Sequence, residues 1–555
     1  MRVMVCRKVP MEDGIELATD VYLPPGPGPF PTVLIRTPYQ RIGAEGHAHR
    51  FVGRGYATVA QDVRGKHESD GVFAPGRHEA ADGQATLDWV ANQWWCNGRI
   101  GLWGLSYLGI VQVPAAAGGH EALRLILPGV NPASPFRDWG RLDGCFAPTL
   151  RWSFSQSLRT APPLAHVSWE EVASQTTPEA MAEIVGVPTP PHLKQWAEHD
   201  TMDDYWAEID QDLMHPKIRV PGFHIGGWFD HFARGQCIAY KNIRDQGATE
   251  EARSGQKLLM GPWAHHTIEP EGHEHTVCGD WEFGNEADLP IITAQLQALD
   301  FHLKEIDNGY TSQPAAKVFL MGENRWLSLP EWPPPDAVMT SWYLNSSGSA
   351  NSRLGDGVLD TSPPDTNYSD TFTYDPKSPV PTNAGDDFHE WETFVGPHNI
   401  RPLVERPDVL YYRSPVLGEP LTVVGEVSLS LCVASSAVDT DFVVKLCVEQ
   451  SDGRIISLSR GCKRCRYRNG YSETVSLVPG EETPLEIDLF PTTYVFPAGS
   501  RIGLTITSSE YPRIIPHDNT MNPPWSGAVP IVARNSVLHG PGTASRLVLP
   551  VLDIG

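Results

Sequence analysis

The chain has no long apolar run and little positive charge. No segment offers the ~20 consecutive apolar residues that a membrane-spanning helix needs, and the start, Met-Arg-Val-Met-Val-Cys-Arg, lacks the apolar stretch of a secretory signal. Lys and Arg total 43 against 67 Asp and Glu, which gives a formal net charge of -24. This charge repels nucleic acid and anionic membranes. We therefore expect a cytoplasmic protein with small-molecule partners, with no nucleic-acid or membrane partner; assembly into a homo-oligomer stays open.

A disulfide or metal framework is also missing. Nine cysteines, an odd number, are scattered from Cys6 to Cys465, which is not typical of a secreted disulfide scaffold. The close pair Cys462 and Cys465 has no second pair at metal-ligand spacing, so we interpret it as two thiols in a sheet. His273 and His275 likewise lack further ligands and are expected in a solvated loop. The sequence predicts no metal and no cofactor.

The 555 residues exceed what one hydrophobic core usually organises, so several domains are expected. Up to residue 132, short apolar runs alternate with helix-like stretches, which predicts a parallel sheet with crossover helices. A Trp-rich, Pro-punctuated stretch over 133–217 interrupts this alternation and indicates an inserted helical cap. The alternation resumes over 218–332. The predicted strands are 32–35, 56–60, 100–103, 123–127, 220–225 and 257–260, and the predicted helices are 79–93, 178–185, 232–244 and 291–304.

The Pro-rich segment 329–336 cannot continue a helix or a central strand, so it predicts a domain boundary. Beyond it, β-rich runs such as 421–433, 442–449 and 501–507 are separated by Gly, Pro, Asp and Ser turns. This pattern predicts an all-β sandwich or jelly roll over 333–555. The predicted fold class is therefore α/β, with a discontinuous core over 1–132 and 218–332, a cap over 133–217 and a C-terminal β domain.

The segment Gly101 to Gly109 is an apolar strand that runs into a Gly-flanked serine, Ser106, and then into a helix-compatible stretch. A serine at a sharp strand-to-helix turn exposes its Oγ, and the helix N-terminus beyond it favours developing negative charge. The pattern Gly-x-Ser-x-x-Gly departs from the usual Gly-x-Ser-x-Gly, and a small-residue turn in a crossover would also produce it. Ser106 is thus a candidate nucleophile that needs partners.

Two later segments each place a titratable residue just past an apolar strand. Asp230 closes the apolar run 222–229, and His265 lies four residues after Gly261 at the end of the next strand. His265 would act as the general base for Ser106, and Asp230 would orient it. The order Ser, Asp, His is that of α/β-hydrolases. The alternatives are that Asp230 caps the next helix and that His265 is an ordinary loop histidine, with His266 a rival base.

With these motifs the chain resembles the CocE/NonD family of serine hydrolases, the cocaine esterase and X-prolyl dipeptidyl peptidase group, almost from end to end. The resemblance rests on five ordered segments: Gln-Asp-Val-Arg-Gly at 61–65, Gly-x-Ser-Tyr-x-Gly at 104–109, Gly-Trp-Phe-Asp at 227–230, Gly-Pro-Trp-x-His at 261–265 and Val-Phe-Leu-Met-Gly at 318–322. It implies an α/β-hydrolase core, a helical cap, a C-terminal jelly roll and acyl-enzyme chemistry.

The resemblance further implies an oxyanion hole made by the hydroxyl of Tyr39 and the backbone N–H of Tyr107. Without the resemblance, Tyr39 would be interpreted as a phenol that caps the end of the first core strand. The charged loop over 61–70 contains Asp62 and Arg64. We expect these two side chains to pair or cap near the site and to take no part in the chemistry.

Members of the family are esterases, acylases, amino-acid ester hydrolases or dipeptidyl peptidases. The amino-ester branch carries acids near the triad aspartate, whereas residues 231–234 here are His-Phe-Ala-Arg, which favours the cocaine-esterase type. Phe232 and the cap residues Trp139 and Trp152 are candidates for the wall of the substrate pocket, although a Trp-rich helical core is the alternative. We predict an esterase for a bulky or aromatic acyl group. An amidase, acylase, peptidase or acyltransferase remains an alternative, and a non-enzymatic scaffold is a further one.

Overall fold

The computed structural model describes residues 1–265, 267–268, 276–382, 396–543 and 545–554, so His266, His273 and His275 of the sequence predictions lie outside it. A ten-stranded sheet with helices organises the N-terminal part, and a thirteen-stranded sheet organises the C-terminal part. The predicted α/β core followed by an all-β region is confirmed. Among the described helices, none has the length and apolar character needed to cross a bilayer.

The first part of the chain builds one half of the ten-stranded sheet. Its central strands are apolar and buried on both faces, as expected for parallel strands covered by helices. The elements are β1 Arg2–Pro10, β2 Glu16–Leu23, β3 Phe30–Thr37, α1 Glu45–Gly53, β4 Ala57–Asp62, α2 Glu79–Ala91, β5 Cys96–Leu105, α3 Tyr107–Ile110, α4 Gln112–Ala117 and β6 Leu123–Gly129.

A run of short helices then separates the two halves of the sheet. Three of these helices begin with a side-chain cap, from Ser168, Thr177 and Asp203. Trp196 and Trp206 are completely buried. For these two side chains, the alternative of a Trp-rich helical core therefore holds. The elements are β7 Arg141–Leu142, β8 Cys145–Phe146, α5 Leu150–Ser155, α6 Trp169–Ala173, α7 Pro178–Val185, α8 Pro191–Glu198 and α9 Asp204–Ala207.

The second half of the sheet follows. Its elements are β9 Gly222–Gly227, α10 Ala233–Gln246, α11 Glu250–Ser254, β10 Gln256–Gly261, β11 Val277–Cys278, β12 Trp281–Glu282, α12 Ile291–Lys304, β13 Ala316–Leu320 and β14 Arg325–Leu329. The strand order is β1-β2-β4-β3-β5-β6-β9-β10-β13-β14. The prediction of a parallel sheet holds from β4 to β13. It is wrong at the edges, because β1, β2 and β14 are antiparallel to their neighbours.

In its described residues, the C-terminal region contains β-strands and short 3-10 turns and no α-helix. The predicted single run 421–433 is two strands, because Gly425, with φ +144°, breaks it. The strands are β15 Val338–Asn345, β16 Val358–Asp360, β17 Tyr368–Tyr374, β18 Leu410–Arg413, β19 Leu421–Gly425, β20 Ser428–Ser435, β21 Asp441–Glu449, β22 Ile455–Arg464, β23 Thr483–Asp488, β24 Thr492–Phe496, β25 Arg501–Thr507, β26 Ala533–His539 and β27 Arg546–Val551.

The two sheets meet just after β13. The Met321 N–H donates to the Thr493 carbonyl at 3.2 Å, and the Val495 N–H donates to the Met321 carbonyl at 3.0 Å. Backbone hydrogen bonds therefore join β24 directly to the end of β13 in the ten-stranded sheet. The order of the strands is consistent with domain boundaries at 132/133, 217/218 and 332/333. These boundaries stay a prediction.

The cysteine pair lies where the chain leaves β22. Cys462 is on that strand and its thiol donates to the Leu142 carbonyl at 3.1 Å, whereas Cys465 begins the turn that follows. Both thiols are buried and unbridged. Their position in a sheet and its adjoining turn gives them a packing role.

Candidate active site

Four predicted site residues meet at one edge of the ten-stranded sheet. Ser106 directly follows β5, Tyr39 follows β3 by two residues, Asp230 follows β9 by three, and His265 follows β10 by four. These strands are parallel, so their carboxyl ends share the edge at which open α/β sheets place their ligand sites. The topology therefore brings together residues that are far apart in the chain.

The backbone at Ser106 is strained, with φ 57° and ψ -129°. Two glycines make this turn possible. A Cβ on Gly104, whose φ is +148°, would lie 2.3 Å from the Leu108 Cβ, and a Cβ on Gly109 would lie 2.5 Å from the Gly129 carbonyl oxygen. The helix thus passes closest to β6 three residues after the serine. This approach explains the unusual Gly-x-Ser-x-x-Gly spacing.

Ser106, His265 and Asp230 form a continuous hydrogen-bonded chain. His265 Nε2 lies 2.9 Å from Ser106 Oγ, and His265 Nδ1 lies 2.6 Å from Asp230 Oδ2. Burial of the Asp230 carboxyl raises its pKa, but the neighbouring His265 and His231 and its hydrogen bonds outweigh burial and hold that pKa below its usual value. Asp230 is therefore ionised at neutral pH and keeps the His265 proton on Nδ1, which leaves Nε2 to accept a proton from Ser106.

Each oxygen of the Asp230 carboxylate has its own donor. While Oδ2 faces His265, Oδ1 accepts the backbone N–H of Phe232 at 2.5 Å, one residue before α10 begins. The alternative that Asp230 caps the next helix is wrong, because Phe232 is the N-cap residue of α10 and no side chain caps this helix. The N-terminal turn of α10 fixes the carboxylate in the position from which it reaches His265.

Tyr39 places its hydroxyl beside Ser106. Trp152 donates its indole N–H to that hydroxyl at 3.0 Å, and the Ser106 hydroxyl also lies within hydrogen-bonding reach of it. Because the indole occupies a lone pair of the phenol oxygen, the phenol proton is available to another acceptor. Desolvation around its hydroxyl raises the pKa of Tyr39, so this donor keeps its proton at neutral pH.

Tyr107 offers its backbone to the site. It is the first residue of α3, so its N–H has no acceptor within the helix. Its side chain lies below the turn, where the hydroxyl donates to Glu79 at 2.9 Å and accepts the Gly76 N–H at 3.0 Å. Arg36 pairs with Glu79 at 2.9 Å. The buried phenol therefore anchors the residue that directly follows Ser106.

A cavity of about 520 Å³ opens above Ser106. The predicted pocket residues Trp139, Trp152 and Phe232 all line it. The Trp152 ring stacks on the Tyr107 ring with centroids 6.0 Å apart and planes inclined by 20°, and Trp139 meets Trp152 edge-on at 5.7 Å. The remaining walls, which sequence reasoning missed, are Ile110, Thr149, Arg151, Ser155, Pro162, Leu164, Ala165 and His231. Most of these come from α5 and the loop after it, which carry no motif.

The charged loop after β4 supports this edge from outside the cavity. Asp62 pairs with Arg41 at 2.6 Å, and Arg64 pairs with Asp82 and with Asp13, each at 2.6 Å. Asp62 and Arg64 thus both form ion pairs, although with different partners and not with each other. Neither lines the cavity over Ser106, in keeping with the expected structural role.

One group of side chains in the described part of the chain has the spacing of metal ligands. Asp230, His231 and His265 offer ligand atoms that all lie within 4.8 Å of one another. However, Asp230 and His265 are already hydrogen-bonded to each other, and His265 also faces Ser106. This bonding suits proton transfer better than metal coordination, and the absence of a metal stays a prediction.

Two family models match the chain. The X-Pro dipeptidyl-peptidase (S15 family) model matches residues 13–267, and the X-Pro dipeptidyl-peptidase C-terminal non-catalytic domain matches residues 308–548. A cocaine esterase from Rhodococcus sp. is 33% identical, with 98% of this chain and 97% of that protein covered.

Solved structures share the whole fold. An α-amino acid ester hydrolase superposes with a TM-score of 0.84 at 25% identity, covering 99% of this chain and 96% of the other. A CocE/NonD family hydrolase from Staphylococcus aureus superposes with a TM-score of 0.72 at 18% identity, covering 99% and 94%. The sheet, the inserted helices and the C-terminal β region thus occur together in both.

Proposed function

The chain belongs to the CocE/NonD family of serine hydrolases, the group of cocaine esterase and the X-Pro dipeptidyl-peptidases, and we propose that it cleaves carboxylic esters through an acyl-enzyme on Ser106. The observation that carries this proposal is the hydrogen-bonded chain from Ser106 through His265 to Asp230. Nucleophile, base and orienting acid are in contact, which is the geometry that acyl transfer requires.

Ser106 Oγ attacks the ester carbonyl carbon while His265 Nε2 takes the hydroxyl proton. Asp230 stabilises the resulting imidazolium through Nδ1. The carbonyl oxygen becomes an oxyanion, which accepts hydrogen bonds from the Tyr39 hydroxyl and the Tyr107 N–H. Collapse of the tetrahedral intermediate breaks the bond to the leaving oxygen, and His265 returns the proton to the alcohol. Water then attacks the acyl-enzyme by the same route, releases the acid and restores Ser106.

The cavity supports a bulky or aromatic acyl group. Three aromatic side chains, Trp139, Trp152 and Phe232, line the space over the nucleophile, and aromatic rings favour stacked or edge-on contact with another ring. We therefore propose that benzoyl-type esters are better substrates than acetyl esters.

The amide-cleaving and amino-acid branches of the family are the second candidates, because the matching family models are those of X-Pro dipeptidyl-peptidases. A substrate ammonium group needs a carboxylate that is available for pairing. Near the cavities, Asp143 already pairs with Arg234, and both oxygens of Asp138 accept backbone N–H groups. This pairing favours uncharged esters over α-amino substrates.

Matched substrates test the proposal. We expect p-nitrophenyl benzoate to be hydrolysed with a higher kcat/KM than p-nitrophenyl acetate, and both to be hydrolysed faster than the p-nitroanilide of benzoic acid. The Ser106→Ala variant is the control for non-enzymatic turnover. An anilide cleaved faster than its ester would refute the ester preference. Accumulation of a new ester when an alcohol is added, in place of free acid, would favour the acyltransferase alternative.

A further inference from the structure

A second chamber adjoins the cavity over Ser106. It holds about 110 Å³ and shares the walls Trp139, Thr149, Arg151 and His231 with the catalytic cavity. Its other walls come from the inserted helices and from the C-terminal β region, and most of them are apolar. These are Asp138, Leu142, Ala147, Pro148, Leu150, Trp169, Ala173, Thr382, Pro512 and Arg513.

His231 forms the partition between the two spaces. Its ring centroid lies 4.4 Å from that of His265 and 4.1 Å from that of Phe232. Burial lowers the pKa of His231 to about 3, so the ring is neutral at physiological pH. The second chamber therefore begins one imidazole ring away from the catalytic histidine, within reach of the distal end of a substrate held on Ser106.

Arg513 is a charged group of this chamber whose guanidinium lies 5.7 Å from the centroid of the Phe490 ring. Among the described residues it has no hydrogen bond and no ion pair, and its buried Nε has no acceptor. The adjacent carboxylate, Glu510, is already shared by Lys445 at 3.1 Å and Arg460 at 2.7 Å. Burial lowers the pKa of Arg513 to about 10, which still leaves it cationic at neutral pH. The Glu510 and Asp230 carboxylates attract this guanidinium, but neither is in direct contact with it. An anion in the chamber that contacts Arg513 would relieve the cost of its burial.

Asp138, the carboxylate in the chamber wall, does not neutralise the charge of Arg513. Asp138 accepts the backbone N–H of Ala133 at 3.2 Å and that of Ser134 at 3.0 Å, and Arg137 and Arg234 face its carboxyl. Its negative charge is thus already balanced. The guanidinium of Arg513 therefore has no direct ion pair with this acid.

We propose that the second chamber binds a carboxylate at the far end of the substrate, paired with Arg513, while the apolar walls hold the chain that links it to the ester. The proposal rests on the proposed function, since it names the substrate class of the same site: esters that carry a distal carboxylate. The planar guanidinium of arginine pairs with a carboxylate through two parallel hydrogen bonds, which gives both affinity and orientation.

Two esters of equal chain length test this inference: monomethyl adipate, which carries a distal carboxylate, and methyl hexanoate, which does not. We expect the wild type to have a kcat/KM at least about tenfold higher for monomethyl adipate, the equivalent of about 1.4 kcal/mol. In Arg513→Met the ratio between the two esters falls towards one, and in Arg513→Lys it is partly retained. Arg454→Met is the control, because Arg454 is an exposed arginine of the C-terminal β region that does not line the chamber. This variant should keep the wild-type ratio between the two esters.

Binding of monomethyl adipate to Ser106→Ala, measured by calorimetry, separates the subsite from the chemistry. If Ser106→Ala binds monomethyl adipate and Ser106→Ala/Arg513→Met does not, the subsite is supported. This result holds even if the proposed ester hydrolysis fails. A wild type without preference for the charged ester overturns the inference while leaving ester hydrolysis intact. An equal loss for both esters in Arg513→Met also overturns it, because Arg513 would then act on the triad through the nearby Asp230.

Discussion

The hydrogen bond between Trp152 and Tyr39 makes a quantitative prediction about the oxyanion hole. In the proposed mechanism, Tyr39→Phe removes a hydrogen-bond donor to the oxyanion, and such losses lower kcat by roughly 10²–10³. Trp152→Phe keeps an aromatic ring but removes the indole N–H that lies 3.0 Å from the Tyr39 hydroxyl. One neutral hydrogen bond contributes about 1 kcal/mol, so we expect kcat to fall roughly fivefold through the loss of this bond.

The two substitutions should be strongly coupled. In the Tyr39→Phe background there is no hydroxyl for the indole to orient, so Trp152→Phe should then cost only what the smaller ring costs in packing. Trp139→Phe is the matched control, since Trp139 lines the same cavity and has no hydrogen bond to Tyr39 among the described residues. Its effect should be the same in both backgrounds.

Steady-state kinetics with p-nitrophenyl benzoate on the four proteins of this double-mutant cycle give the coupling energy. We expect a coupling energy of about 1 kcal/mol from the kcat values, with little change in KM. Additive effects of Tyr39→Phe and Trp152→Phe would refute the idea that Trp152 acts through the Tyr39 hydroxyl. Coupling of equal size for Trp139→Phe would point to general disturbance of the cavity.

Three further predictions concern the triad, the serine turn and pH. Asp230→Asn should lower kcat about 10⁴-fold without changing the unfolding midpoint in urea, and a loss below tenfold would contradict its orienting role. Gly109→Ala places a Cβ 2.5 Å from the Gly129 carbonyl oxygen and should abolish activity, whereas Gly46→Ala, with nothing within 4 Å, should not. Burial lowers the pKa of His224 to about 4, so between pH 6.5 and 4 the unfolded chain binds a proton that the native protein does not. The free energy of unfolding should then fall as the pH falls, by up to about 1.4 kcal/mol per pH unit for this residue, and His224→Gln should reduce the slope measured by urea unfolding.

The sequence was sufficient to predict the core elements and the meeting of Ser106, Asp230 and His265, because both have local signatures. The predicted helices 178–185 and 291–304 match α7 and α12 residue for residue, since caps, prolines and apolar spacing mark their ends. Ser106, Asp230 and His265 each follow an apolar strand, and parallel strands bring such positions to one edge.

Features that depend on contacts between distant segments escaped prediction. The antiparallel edges formed by β1, β2 and β14 depend on pairing, which strand composition does not encode. The bond from Trp152 to Tyr39 joins two residues 113 positions apart, and the chamber at Arg513 is enclosed by three separate parts of the chain. A lone arginine in a β-rich sequence carries no signal of an unpaired charge, because the lack of a direct ion pair exists only in the fold.

Covalent labelling tests the central claim, that Ser106 is the activated nucleophile, most directly. After incubation with a fluorophosphonate, mass spectrometry of the intact protein should show one adduct, and peptide mapping should place it on Ser106. Ser155→Ala, which removes another hydroxyl from the wall of the same cavity, should still be labelled, whereas Ser106→Ala should not. An unlabelled wild type, or undiminished labelling of Ser106→Ala, would contradict the account.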